Sequence, residues 1–127
     1  VRKAIRTAAA PAAVGPYSQA VRAGDFLFVS GQLGIDPATK KLVDGGIEAQ
    51  AQRVLENIAA IVAEAGGTMS AVVKTTVFLR SMGDFAKLNE VYARFFGADP
   101  PARATFEVAA LPLGALVEIE AVVYLGR

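Results

Sequence analysis

Arg103 and Glu118 are the residues whose types and spacing best suit chemistry on a small anion. Arg103 lies within Pro100-Pro101-Ala102-Arg103-Ala104-Thr105-Phe106-Glu107-Val108, and Glu118 within Val117-Glu118-Ile119-Glu120. Both stretches read as β-strands joined by a short loop containing Pro112 and Gly114. Alternation along the first puts Arg103, Thr105 and Glu107 on one face, with Ala104, Phe106 and Val108 on the other. Along the second, Val117, Ile119, Ala121, Val123 and Leu125 oppose Glu118 and Glu120. A guanidinium keeps its charge and offers a planar fork that matches a carboxylate. In a partly dry site each such hydrogen bond contributes about 1.5–3 kcal/mol. A carboxylate buried at an interface must be paired or have a raised pKa, which suits proton transfer near neutrality. The pattern predicts charge gathered on one side of a sheet, able to bind and process a small anionic substrate. The ordinary alternatives are a solvated edge arginine or half of an ion pair, and plain surface carboxylates.

Composition narrows the chemistry. The chain has no histidine and no cysteine. Imidazole bases, thiolate nucleophiles, disulfides and the common zinc sites all lose their usual participants. Arg, Lys, Glu, Asp, Tyr, Ser, Thr and the backbone must do whatever is done. The lack of cysteine fits a reducing compartment, here expected to be the cytoplasm. Thirteen basic residues against twelve acidic ones give no field that attracts nucleic acid or an anionic membrane. No apolar run approaches the ~18–20 residues needed to cross a bilayer. Arg2, Lys3, Arg6 and Arg22, with no acid before Asp25, loosely resemble a transit peptide, but a short strand at Ile5–Thr7 followed by a connection is the better reading. With 127 residues, 54% of them hydrophobic, residues 1–127 are expected to form a single domain.

The elements that must position these residues follow from periodicity. Phe26-Leu27-Phe28-Val29 is a short continuous apolar run, read as a strand buried on both faces. Asp36-Pro37-Ala38-Thr39 predicts a turn into a hairpin that returns towards Leu42-Val43. Ile47, Ala51, Val54, Leu55, Ile58, Ile61, Val62 and Ala65 form one apolar stripe, so a helix is predicted there, ending at Gly66-Gly67. The β-branched run from Val72 to Leu79 predicts a strand. Asp84 is placed to cap a second helix, with a buried stripe of Phe85, Leu88, Tyr92, Phe95 and Phe96. The order is several strands, helix, strand, helix, two strands, which predicts an α+β fold with one mixed sheet and two helices on one face. Two helices on one face leave the other face bare. It is expected to bury itself against further copies of the chain in a closed homo-oligomer, placing Arg103 and Glu118 at or near a subunit boundary.

Three further segments carry candidate polar groups. Gly15-Pro16-Tyr17-Ser18-Gln19 is a turn in which the Tyr17 hydroxyl should find a partner. Ser30-Gly31-Gln32 ends the buried strand, where Gly31 allows close approach of a backbone or ligand. Asn89, inside the second helix, is placed to hydrogen-bond a loop. Gly45-Gly46 and Gly66-Gly67 fit neither a dinucleotide fingerprint nor a phosphate loop.

Together these segments resemble the Rid family, the reactive intermediate deaminases also called the YjgF family. The resemblance spans essentially the whole chain. It rests most on Pro101-Ala102-Arg103-Ala104-Thr105-Phe106, Leu111-Pro112 and Val117-Glu118-Ile119. Ala12 to Ala20, Ser30-Gly31-Gln32, Leu55-Glu56-Asn57-Ile58 and Asp84 to Asn89 match in the same order. It implies a chorismate-mutase-like fold assembled as a homotrimer with clefts between subunits. It also implies hydrolysis of enamines and imines such as 2-aminoacrylate and 2-iminopropanoate to 2-oxo acids and ammonia, without metal or cofactor. By position, Arg103 would hold the substrate carboxylate and Glu118 would position the hydrolytic water. Tyr17 would line the cleft from a neighbouring subunit, Ser30 and Gly31 would shape its floor, Thr105 would add backbone or hydroxyl contacts, and Asn89 would support the pocket. A non-catalytic trimeric binder of small carboxylates or protein partners is the alternative, with a ribonuclease or translation inhibitor behind it. Thr105 stands where many members have Cys, which should alter the pocket without abolishing activity. Gly34 replaces a frequent Pro and Lys41 a frequent Gly, which bears on the shape of the hairpin loop.

Overall fold

The computed structural model describes residues 1–126. Eight strands and two helices run in the order β1 (Arg2–Ile5), β2 (Ala20–Ala23), β3 (Phe26–Gln32), β4 (Ile35–Asp36), β5 (Lys41–Leu42), α1 (Gly46–Glu64), β6 (Val72–Leu79), α2 (Phe85–Phe96), β7 (Ala102–Glu107) and β8 (Val117–Tyr124). Six of the strands form one sheet in the order β1-β2-β3-β8-β6-β7, while β4 and β5 make a separate hairpin. All pairs in the large sheet are antiparallel except β6–β7, which is parallel. The sheet is therefore mixed, as expected for an α+β fold. A parallel neighbour requires a long crossover, and α2 supplies it between β6 and β7. The first strand lies at Arg2–Ile5, earlier than the Ile5–Thr7 expected from sequence.

Helix α1 packs on β3 and β8 and against α2. Its apolar stripe is the expected one: Ala51, Val54, Leu55, Ile58, Ile61 and Val62 are fully buried. On the sheet side Leu27, Val29, Val77, Leu79, Val117, Ile119 and Val123 complete the core. The chain leaves α1 through Gly66, whose φ of 89° is the left-handed conformation that glycine adopts without strain. Helix α2 starts where expected, yet Asp84 makes no side-chain cap. The capping bond lies one turn earlier, where the Ser81 hydroxyl accepts from the Gly83 N–H in the short turn leading into the helix. Leu88, Val91 and Tyr92 are the buried residues of α2, while Phe85, Phe95 and Phe96 are only half-buried.

The other face of the sheet is bare. Phe26, Phe28, Phe106 and Tyr124 expose 41%, 50%, 53% and 38% of their surface. This corrects the reading of Phe26–Val29 as buried on both sides. Leu27 and Val29 face the helices, and Phe26 and Phe28 face outwards. A strand of continuous apolar character thus has cover for only half its side chains within one chain.

Candidate active site

β7 is an edge strand, and its register with β6 decides where Arg103 points. Arg103 pairs with Thr75, which in turn pairs with Ala121. Paired residues in a sheet project to the same face. Thr75 and Ala121 are buried beneath the helices, so Arg103 lies on the helix face. Its guanidinium carbon sits 4.7 Å from the centroid of the Tyr92 ring and 5.5 Å from that of Phe85, both from α2. Among the described residues it forms no ion pair.

Tyr92 is itself held firmly. Its hydroxyl and that of Thr75 are 2.6 Å apart, and its ring lies 4.6 Å from that of Phe96. Burial raises the Tyr92 pKa above the ordinary tyrosine value, against smaller lowering effects from the Thr75 hydrogen bond and the Arg103 charge. The hydroxyl therefore keeps its proton at neutral pH. On the same edge two buried side-chain oxygens, Asn89 Oδ1 and Thr105 Oγ1, have no hydrogen-bond partner among the described residues. The loop contact expected of Asn89 is thus not made by its carbonyl oxygen. Thr105, paired with Val77, shares the helix face with Arg103. Glu107, expected beside them, instead ties the strand end to the next turn by accepting from the Met82 N–H at 2.8 Å.

Glu118 belongs elsewhere. It pairs with Phe78, which pairs with Phe106, and these project from the open face. The expectation of Arg103 and the carboxylates on one side of the sheet is corrected. Parallel pairing of β7 to β6 places Arg103 and Glu118 on opposite faces with a strand between them, roughly 14 Å apart from strand spacing and residue rise. Glu120, paired with Thr76, does share the face of Glu118. Burial is the larger cause raising the Glu118 pKa above the ordinary carboxylate range, and the Glu120 charge adds to it.

What adjoins Glu118 is the end of β3. The β3–β8 register shifts between Val29 and Gln32, so β3 carries one extra residue over Ser30-Gly31. This bulge brings the Gly31 backbone against Glu118, and a Cβ on Gly31 would collide with the carboxylate. Glycine is required there for contact with a side chain of the same chain. The Ser30 hydroxyl donates to the Ser18 carbonyl at 2.6 Å, and its N–H to the Gln19 carbonyl at 2.9 Å. The bulge is thereby fastened to the loop bearing Tyr17, whose ring is half exposed. The Tyr17 hydroxyl lies 3.5 Å from the Val14 N–H, a long contact that leaves it free for other partners.

Gln19 was not singled out from sequence, yet it organises this region. Its amide donates to the carbonyls of Thr7 at 3.0 Å and Pro11 at 2.8 Å, and its oxygen accepts from the Thr7 N–H at 2.7 Å. A buried glutamine tied to backbone several residues upstream leaves no periodic signal. Tyr92 was legible as core, but its place beneath Arg103 depends on the β6–β7 pairing.

The candidate residues thus fall into two groups. Arg103, Thr105 and Asn89 accompany α2 at the β7 edge, while Glu118, Gly31, Ser30 and the Tyr17 loop gather around the β3 bulge. No group of three or more His, Cys, Asp or Glu among the described residues is placed to hold a metal ion, and no helix among them is long and apolar enough to cross a membrane.

Comparison with known proteins accounts for nearly the whole chain. The family model described as Endoribonuclease L-PSP matches residues 7–125. A bovine protein named 2-iminobutanoate/2-iminopropanoate deaminase is 51% identical over 126 residues, covering 99% of this chain and 92% of the relative. The crystal structure of RidA from an Antarctic Psychrobacter superposes with a TM-score of 0.93 at 52% identity, covering 96% of this chain and 98% of that one. The structure of Escherichia coli TdcF with bound serine superposes with a TM-score of 0.93 at 40% identity, covering 98% and 99%.

Proposed function

This chain belongs to the Rid family, matched by the Endoribonuclease L-PSP model, and from that premise we propose that it is a cofactor-independent 2-iminobutanoate/2-iminopropanoate deaminase. The proposed substrates are reactive enamines and imines such as 2-aminoacrylate, and the products are 2-oxo acids and ammonia. The observation that carries this reading is Arg103, a half-buried guanidinium lying over two rings with no carboxylate partner among the described residues. A small carboxylate is the ligand that such a group lacks. Relatives named as imine deaminases, 48% and 51% identical over 93% and 92% of their length, support the reaction class.

In the proposed mechanism Arg103 binds the substrate carboxylate and so orients the adjacent C=N carbon. Glu118 positions a water and accepts its proton as oxygen adds to that carbon. The same proton then passes to the nitrogen, and ammonia leaves as the C=O bond forms, with Glu118 taking up the hydroxyl proton. An enamine such as 2-aminoacrylate first takes a proton at its terminal carbon to become the imine. A protonated imine carbon is already electrophilic, so orientation and proton transfer suffice without metal or covalent nucleophile. The raised pKa of Glu118 suits a group that must take up and return a proton. Tyr17, Ser30 and Gly31 line the water side, and Thr105 and Asn89 the carboxylate side.

Both groups cannot reach one small molecule from a single chain, because the sheet separates them. We therefore propose that the site forms between subunits of a homotrimer, the β7 edge of one copy meeting the β3 bulge of another. The bare sheet face supplies the surface for that association.

The test is to generate 2-aminoacrylate in situ with a serine or threonine dehydratase and follow 2-oxo acid release. Wild type is expected to accelerate it, Arg103→Ala to abolish nearly all of the gain, and Glu118→Gln to remove most of it. No acceleration by wild type would sink the enzymatic reading. A fully active Arg103→Ala would sink the carboxylate clamp. The second reading is a trimeric binder of small carboxylates, favoured by the bound serine of the E. coli relative; it needs Arg103 but not Glu118. A ribonuclease, as the family description suggests, ranks behind both, since a net charge of +1 and the lack of histidine suit RNA cleavage poorly.

A further inference from the structure

A carboxylate clamp built from arginine has a problem that a shorter side chain does not. Its flexible stem must be held before the substrate arrives, or binding must cover the cost of freezing it. Ion pairs and hydrogen bonds are the usual restraints, but they would compete with the substrate for the same donors. At Arg103 neither is made to a carboxylate among the described residues. The guanidinium instead rests over the rings of Tyr92 at 4.7 Å and Phe85 at 5.5 Å. Ring faces attract a cation and hold its plane while leaving its in-plane N–H groups free.

The Tyr92 ring is anchored in turn from the strand beside Arg103. Thr75 and Arg103 are register partners on parallel β6 and β7 and project to the same side. The Tyr92 hydroxyl reaches Thr75 at 2.6 Å while its ring underlies Arg103. One helix residue thus spans two neighbouring positions of the sheet, and its place is set by a buried hydrogen bond rather than by packing alone. We propose that Thr75 and Tyr92, with Phe85 beside them, are positioning residues that pre-orient Arg103 for in-plane capture of a substrate carboxylate. This rests on the reading of Arg103 as the carboxylate clamp, and it adds residues that touch Arg103 rather than the substrate.

The test is a double-mutant cycle read by the affinity of an unreactive 2-oxo acid, 2-oxobutanoate, measured by calorimetry on the assembled protein. Tyr92→Leu is expected to weaken binding about 3- to 30-fold, the range of a cation–ring contact in a partly dry site. In the Arg103→Ala background the same substitution should have no further effect. Equal losses in both backgrounds would show a merely structural role and overturn the inference while leaving the clamp intact. Unchanged affinity in folded Tyr92→Leu would overturn it as well. If Tyr92→Leu fails to fold, Thr75→Val and Phe85→Leu carry the test. Each is expected to weaken binding only when Arg103 is present, with Thr75→Ser restoring the affinity that Thr75→Val loses. Wild-type affinity in Arg103→Ala alone would remove the clamp, and the positioning role with it.

Discussion

At Glu118 two local causes act in the same direction. Partial burial disfavours the carboxylate, and the like charge of Glu120 on the same face disfavours it further. If Glu118 works as a carboxylate on water, activity should fall on acidification while ordinary carboxyls, near pKa 4.3, remain ionised. The acidic limb of the kcat/KM profile is expected above the usual glutamate range, and Glu120→Gln should move it to lower pH by removing the like charge. A limb that does not move would assign the titration to another group. The stability consequence has a definite sign. A carboxyl with a raised folded pKa binds its proton more tightly in the native state, so its contribution is complete below the unfolded pKa and is lost as pH rises through the folded one. Glu118→Gln should flatten that part of the stability profile. Of these residues, type and spacing singled out Arg103, Glu118 and Gly31, and the family resemblance added Thr105. They did not single out Gln19 or Thr75, whose roles depend on partners 12 and 17 residues away.

At the scale of elements, the hairpin β4–β5 shows how α1 positions a loop. Asn57 is fully buried in α1, and its amide donates to the carbonyls of Leu33 at 3.1 Å and Ile35 at 3.0 Å. Its oxygen accepts from Arg53 Nε at 2.9 Å. Gly34, between those carbonyls, lets the helix approach closely, since a Cβ there would stand 2.8 Å from Gln50 Cα. Gly34 thus has a packing reason of its own. Strain in the hairpin falls not on Lys41, which lies in β5, but on Lys40, with φ of 63°. Asn57→Leu would leave two backbone carbonyls unpaired at about 1–3 kcal/mol for each buried group. The urea midpoint, measured at fixed protein concentration, is expected to fall accordingly, while a midpoint equal to wild type would mean that water replaces the amide. The existence of α1 was plain from its stripe of apolar residues. Its grip on residues 33–35 was not, because a single asparagine breaks no periodicity.

At the scale of the whole molecule, the proposed assembly rests on the bare sheet face. Phe26, Phe28, Phe106 and Tyr124 form an exposed aromatic population with Lys74 and Glu120 on the same face. Light scattering is expected to give three chain masses for wild type at micromolar concentration. Phe28→Glu, which sets a charge in the middle of the proposed contact, is expected to give monomers with little deaminase activity. Monomeric wild type that retains full activity would end the intersubunit reading. Sequence alone determined the element types, the α+β class, the two helices on one face and the family, because periodicity and ordered motifs are properties of residues near one another in the chain. The tertiary structure decided which strands are neighbours. By pairing β7 in parallel with β6 it set Arg103 against α2, and by bulging β3 it set Gly31 against Glu118 on the other face. Alternation reveals that two residues lie on opposite sides of their own strand, but only pairing and register reveal whether sides on different strands coincide.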